Sequence, residues 1–337
     1  MPQEATTCNL CGADDTALVY KLHDQRYHGQ EQFQLVRCKR CGLLYLNPRP
    51  DRNSILQYYP DEYGAYSAPA DLPLQTDFNG LRGWLRRRMF VRGCPLGAIL
   101  RCYYVRWHGN WRWFYAADPK LRGGKVLDIG SGAGQTLRIF DQFGWDTCGI
   151  DISPQAVATA KQYGHRVVQG ELCTTSLPEQ SFDLLWLCHV LEHTHDPRAT
   201  LKTAAQLLKP SGAAVVEIPV VAGLIPWLFG EFNLQWECPR HLYHFNPRLF
   251  CRLSKECGFT VRILARSSNP WVLCMSLSYL LEKIFPRHAA RIREQLSTYP
   301  QRKPWFPLVW SLCVLITVAG LGEILVAELR QSAPSSR

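Results

Sequence analysis

KVLDIGSGAG, residues 125–134, runs a short apolar segment into alternating glycines and is followed at once by TLRIFDQFG, a stretch with helical spacing. Strand, glycine loop and helix together open a nucleotide-binding α/β unit. Gly130, Gly132 and Gly134 let the backbone come close to a ligand while the helix offers its N-terminus. The dinucleotide fingerprint needs a further glycine at position 135, and the residue there is Gln135. The loop has a carboxylate at the strand end instead, Asp128, which would repel a pyrophosphate and attract a cationic amino-acid ligand. The stretch therefore points to an open parallel sheet that takes a cationic cofactor.

Working outward, the alternation continues. TCGIDIS ends in Asp151, 21 residues beyond Gly130, where a carboxylate can accept both hydroxyls of a ribose. Ser153-Pro154 then caps and starts a helix. HRVVQGEL reads as a third strand with Glu171 near an adenine edge, and FDLLWLCHV as a fourth that ends at His189 and leads into LEHTHDP. The helix ATLKTAAQLLKP and the strand AAVVEIP complete the run.

These motifs carry a resemblance. VLDIGSGAG, GIDIS, HVLEH, LLKPSGAAVVEIP and PRHLYHFNPRLFCRLSKECGF, in that order, resemble class I S-adenosylmethionine-dependent methyltransferases. The group they are most similar to contains ubiquinone-pathway O-methyltransferases and bacterial enzymes of cell-surface sugar and lipid pathways. The resemblance implies a Rossmann-like sheet of seven strands with the seventh, GEILVAELR, antiparallel. It also implies S-adenosyl-L-methionine as cofactor, with Asp128, Gly130, Ser131, Gly132 and Gly134 around the methionine part, Asp151 and Ile152 at the ribose, Glu171 near adenine and His189 close by.

Methyl transfer aligns a nucleophile, the methyl carbon and sulfur, and removes a proton where the nucleophile is a hydroxyl. His189, Glu192 and His193 follow the fourth strand, and resemblance to the quinone-pathway enzymes suggests that Glu192 and His193 hold a divalent ion such as Mg2+. A second group lies in WECPRHLYHFNP, residues 236–247, where Asn246-Pro247 has the pattern of a helix start. The loop before it offers His241 and His244 as bases, and Arg240 to His244 as a grip on the acceptor. Packing without chemistry is the alternative for either histidine.

Cys8-Asn9-Leu10-Cys11-Gly12 and Cys38-Lys39-Arg40-Cys41-Gly42 repeat one CxxCG pattern with 26 residues between the pairs. Each pair can aim two thiolates at one ion from a tight turn, so a closed, structural Zn2+ site in a ribbon-like module of residues 1–50 is expected. FQLVRC and GLLYL read as its strands. Residues 51–119 then read as a helical, basic-aromatic connector, and 120–330 as the methyltransferase domain with apolar inserts at about 219–240 and 267–322.

The chain carries 38 Lys and Arg against 28 Asp and Glu, a net charge of +10. Residues 82–122 concentrate it, with ten basic residues, one acid (Asp118) and nine aromatics. That mixture suits an anionic membrane surface or nucleic-acid phosphates. Residues 304–322 contain no charge, a length near that of a membrane span, but the seventh strand must rejoin the sheet on the same side, so an interfacial or lid helix is expected. MPQEATTCNL lacks the features of a signal peptide, which predicts a cytoplasmic protein, peripheral at the inner face of the membrane. The expected reaction moves a methyl group to a hydroxyl or carbon of a small-molecule, glycan or lipid-linked acceptor. An RNA methyltransferase and a non-catalytic binding protein are the rivals, and the apolar inserts count against nucleic acid.

Overall fold

The computed structural model describes residues 2–61, 63–66, 111–116, 118, 123–297 and 303–332. Of the basic-aromatic segment, 111–116 and 118 fall among these, and the remainder of that expectation lies outside the described residues.

In chain order the strands are β1 (Gln3–Glu4), β2 (Thr16–His23), β3 (Gln32–Cys38), β4 (Leu44–Leu46), β5 (Arg49–Pro50), β6 (Lys125–Ile129), β7 (Asp146–Asp151), β8 (Val167–Gln169), β9 (Phe182–Cys188), β10 (Leu208–Pro219), β11 (Tyr243–His244), β12 (Phe259–Ser267) and β13 (Ile324–Gln331). Seven form one sheet in the order β12-β13-β10-β9-β6-β7-β8. The pairs β6–β7, β7–β8 and β6–β9 are parallel and β12–β13 is antiparallel, so the last strand has the reversed direction that the family resemblance implies. From β6 the chain steps outward to β7 and β8 and then returns to β9 on the other side. In open sheets a ligand crevice forms at the carboxyl ends of strands at such a reversal.

The chain divides into two compact units, residues 60–187 with 203–215, and residues 1–59 with 188–202 and 216–337. In the first, Val126, Leu127, Leu184, Leu185 and Leu187 are all buried, the near-continuous apolar run of strands covered on both faces. Helices Gln135–Gln142 and Pro154–Gln162 are amphipathic, and Leu137, Val157, Ala160 and Val167 form a core cluster. Trp186 is fully buried, edge-on to Tyr115. Helix Pro197–Leu207 ends earlier than its apolar pattern suggests, and β10 takes over at Leu208. Pro210 gives the reason: it cannot continue a helix, and it biases the preceding residue towards extended backbone.

In the second unit a four-stranded antiparallel sheet has the order β11-β4-β3-β2, so Tyr243 and His244 extend the N-terminal ribbon. The insert after β10 contains helix Leu224–Phe229, and the insert between β12 and β13 contains helices Pro270–Ile284, Ala289–Ser297 and Phe306–Val318. Ile225, Phe229 and Leu234 from the first insert bury against Val272, Met275 and Tyr279 from the second. Among the described residues no helix is long and apolar enough to cross a membrane; Phe306–Val318 has 13 residues where about 20 are needed.

Candidate functional site

In the first unit the glycine loop is bent as its sequence requires. Gly130, Gly132 and Gly134 all have positive φ, at 70°, 52° and 88°. A Cβ on Gly132 would come within 2.5 Å of the Ala65 carbonyl oxygen, and one on Gly134 within 2.5 Å of the His165 ring. The amides of Gly130 and Ser131 donate to Ile150 O at 2.8 and 3.1 Å, which ties the loop to the end of β7. Asp151 supports it further: Oδ2 accepts from the Gly132 amide at 2.8 Å and Oδ1 from the Ser153 amide at 2.9 Å. Ser153 in turn caps the next helix through Ala156 N–H, and Pro154 follows it.

Asp128 is buried, and its Oδ2 and the Ser131 hydroxyl both lack a hydrogen-bond partner among the described residues. Burial pushes the Asp128 carboxyl up to about 7, against the pull of Arg112. Burial also raises Asp151, although the amides of Ser153 and Gly132 oppose the shift. Unsatisfied polar atoms in a buried cradle mark a place where a ligand completes the hydrogen bonding. Two buried carboxylates beside one loop make an anionic cradle that a cationic group complements. Ile152 and Glu171 are half-buried and follow β7 and β8.

The second unit holds the histidines. His189 has φ of +54°, and its amide donates to Glu217 O at 2.8 Å. Its Nδ1 lies 3.1 Å from Glu192 Oε1 and its Nε2 3.4 Å from Glu217 Oε1. Desolvation would lower its pKa, but those two carboxylates raise it well above the usual imidazole value. Glu192 is completely buried and its Oε2 lacks a partner among the described residues. His193 Nδ1 is 3.0 Å from Arg240 O and 2.8 Å from the Tyr59 hydroxyl. Its ring meets that of His241 edge-on, with centroids 4.5 Å apart. His241 Nδ1 donates to Gln235 O at 2.8 Å. Burial depresses the pKa of His193 to about 3 and that of His241 to about 4, and moves His244 down as well. His244 Nε2 is buried against Trp236 and has no hydrogen-bond partner among the described residues.

Glu192, His193 and His241 each bring one ligand atom within 4.8 Å of the others, and so do Cys188, His189 and Glu217. WECPRHLYHFNP therefore does two things. Asn246 accepts from Leu249 N–H at 2.9 Å and starts helix Pro247–Glu256, while His241 joins the pair that follows β9. Arg240 departs from expectation. It is fully buried, with NH1 and NH2 on the two Asp24 carboxylate oxygens at 2.6 and 2.9 Å, NH1 also on Tyr58 O and Nε on Glu237. A guanidinium held this way braces the loop from inside and does not reach an acceptor. Sequence reading passed over Glu217, Tyr59 and Glu237. A lone carboxylate near the end of the apolar strand AAVVEIP is the signal that points to Glu217.

The four cysteines converge. Cys8 Sγ is 3.4 Å from Cys41 Sγ, and Cys11 Sγ is 3.5 Å from Cys38 Sγ. Both turns have the same construction, Gly12 N–H on Cys8 O at 2.8 Å and Gly42 N–H on Cys38 O at 2.9 Å, each glycine with positive φ. Four thiols this close have the donor set of a tetrahedral zinc centre.

Against known proteins, a family model described as a methyltransferase domain matches residues 112–263. A ubiquinone biosynthesis O-methyltransferase of Pseudomonas aeruginosa (strain UCBPP-PA14) is 31% identical over 166 residues, covering 44% of this chain and 71% of that protein. The protein of the same description from Xanthomonas campestris pv. campestris (strain B100) is 34% identical over 107 residues, 29% of this chain and 44% of that one. The chain thus spans under half the length of the first curated relatives it matches. Among solved structures, phosphoethanolamine N-methyltransferase 2 of Haemonchus contortus, in complex with S-adenosyl-L-methionine, is similar with a TM-score of 0.46 and 17% identity over 94% of this chain and 69% of that one. Glycine loop, strand order and relatives agree: the chain belongs to the S-adenosylmethionine-dependent methyltransferase family.

Proposed function

We propose that this protein transfers a methyl group from S-adenosylmethionine to a hydroxyl of a small-molecule acceptor. The observation that carries the reading is the buried Asp128 carboxylate with an unsatisfied oxygen beside a loop of three left-handed glycines. In this reading Asp128, Gly130, Ser131, Gly132 and Gly134 hold the methionine part, Asp151 and Ile152 the ribose, Glu171 the adenine edge, and His189 borders the cofactor. The bound cofactor supplies the electrophilic methyl. Glu192, His193 and His241 orient the acceptor hydroxyl, with the lone pairs of neutral imidazoles and a free carboxylate oxygen to receive its proton or to hold a divalent ion such as Mg2+. His244 supports them from the short strand that follows, its ring centroid 6.2 Å from that of His241. The four cysteines hold a structural Zn2+.

The relatives' description as O-methyltransferases supports an oxygen acceptor. For the finer class we favour a hydrophobic one, lipid-linked or glycan-lipid, met at the inner face of an anionic membrane. Exposed apolar side chains support this: Leu308, Leu312, Leu315 and Val318 on one face of helix Phe306–Val318, with Trp227 and Leu228 on the earlier insert.

Titration calorimetry with S-adenosylmethionine tests the core of the reading. Binding is expected in the wild type, and Asp151→Ala should remove most of it, since the loop amide and the ribose both depend on that carboxylate. Unchanged affinity in the variant would sink the ribose assignment. Untargeted mass spectrometry of extracts from cells with and without the protein, searched for pairs differing by one methylene, identifies the acceptor.

A further inference from the structure

The cysteine centre and the histidine cluster lie in the same compact unit and are joined twice. The first junction begins at the knuckle Cys8–Cys11, whose two inner residues are both gripped from the start of helix Pro197–Leu207. Asn9 Nδ2 donates to Asp196 Oδ1 at 2.9 Å, and Asn9 Oδ1 accepts from the Arg198 amide at 3.1 Å. The Arg198 guanidinium donates to Asn9 O at 3.2 Å and to Leu10 O at 2.7 Å. Asp196 and Arg198 follow closely on His193 in the chain.

The second junction begins at the knuckle Cys38–Cys41, between β3 and β4. Tyr243 and His244 pair with Tyr45 and Leu44 of β4. Leu46 N–H donates to Leu242 O at 3.0 Å, and Leu242 N–H donates to Glu192 O at 2.8 Å. The contacts run from one knuckle through Asn9 and Arg198 to His193 and Glu192, then through Leu242 and β4 to the other knuckle. The gap in this ring falls between the four thiols.

We propose that a metal ion on Cys8, Cys11, Cys38 and Cys41 closes this ring, and that Asn9 and Arg198 are positioning residues through which the ion holds Glu192, His193 and the 241–244 strand in place. The proposal rests on the reading of the cysteines as a metal centre and of the histidines as the acceptor side. Its physical basis is the weakness of the parts. β4 has three residues and β11 two, too little pairing to be stable alone, and a ribbon with a small core draws its folding free energy from metal binding. The Asp128–Asp151 cradle belongs to the other compact unit and makes none of these contacts.

The experiment uses the full chain loaded with Co2+, whose thiolate charge-transfer absorption reports the tetrathiolate site, and follows amide exchange by mass spectrometry. Stripping the ion with a chelator should speed exchange roughly tenfold over residues 191–198 and 242–246, while S-adenosylmethionine affinity changes by less than about twofold. Asn9→Ala and Arg198→Ala should retain the cobalt absorption and show the same faster exchange; Arg198→Lys, which retains the charge that pairs with Glu256 at 2.7 Å, should restore part of the protection. Unchanged exchange in those segments, or acceleration spread equally over 125–151, overturns the proposal. Absence of a cobalt thiolate band overturns it through the metal reading. Loss of cofactor binding in the untreated protein counts against the proposed function and leaves the ring intact.

Discussion

At Asp128 burial and the proposed cationic ligand pull in opposite directions. A carboxyl pushed up to about 7 still holds its proton over a pH range in which the unfolded chain has lost it, so folding stability falls as pH rises through that window. A cationic ligand needs the ionised form. Below about pH 7 the proton must leave before the ammonium binds, so affinity for S-adenosylmethionine should weaken by up to about tenfold per pH unit and level off above it. Calorimetry across that range in buffers of different ionisation enthalpy should detect one proton released per ligand at the acid end, and Asp128→Asn should flatten the profile; a flat wild-type profile would refute the pairing. Arg240 is the opposite case. Its residue type suggests a grip on a substrate, yet its donors are engaged by Glu237, three residues before it, and by Asp24 and Tyr58, which lie far away in sequence.

At the scale of elements, helix starts were legible and helix ends less so. Ser153-Pro154 and Asn246-Pro247 both cap as their order predicts, because a short polar side chain followed by a ring with fixed φ is a local device. Asn246→Ala should lower unfolding free energy by about 1 kcal/mol, read as a shift in denaturant midpoint without change in slope, and Asn246→Asp should recover most of it. An equal midpoint in the alanine variant would mean that the cap hydrogen bond to Leu249 is replaced by water without cost. The passage from helix Pro197–Leu207 straight into β10 was harder to read, since LLKP continues the apolar period and only Pro210 contradicts it.

For the molecule as a whole, charge and apolar surface bear on the proposed membrane association. With +10 net charge and four exposed aliphatic side chains on one helix that is too short to span, association with anionic vesicles should be measurable by co-sedimentation and should weaken as salt shortens the Debye length from about 10 Å towards 3 Å. Replacing Leu308, Leu312, Leu315 and Val318 with serine should reduce it while cofactor affinity holds. No binding to anionic vesicles by the wild type would remove the membrane from the proposed function.

The sequence by itself determined the sheet, the glycine loop and the cysteine repeat, because each rests on short-range rules: period, capping, left-handed glycine and two-residue knuckle spacing. Tertiary structure alone decided that Tyr243 and His244 complete the ribbon sheet, that Arg198 grips the first knuckle and that Glu217 and Tyr59 join the histidines. Those contacts link residues up to some two hundred positions apart, and pairing at that separation is set by how the elements pack and leaves no local period to read.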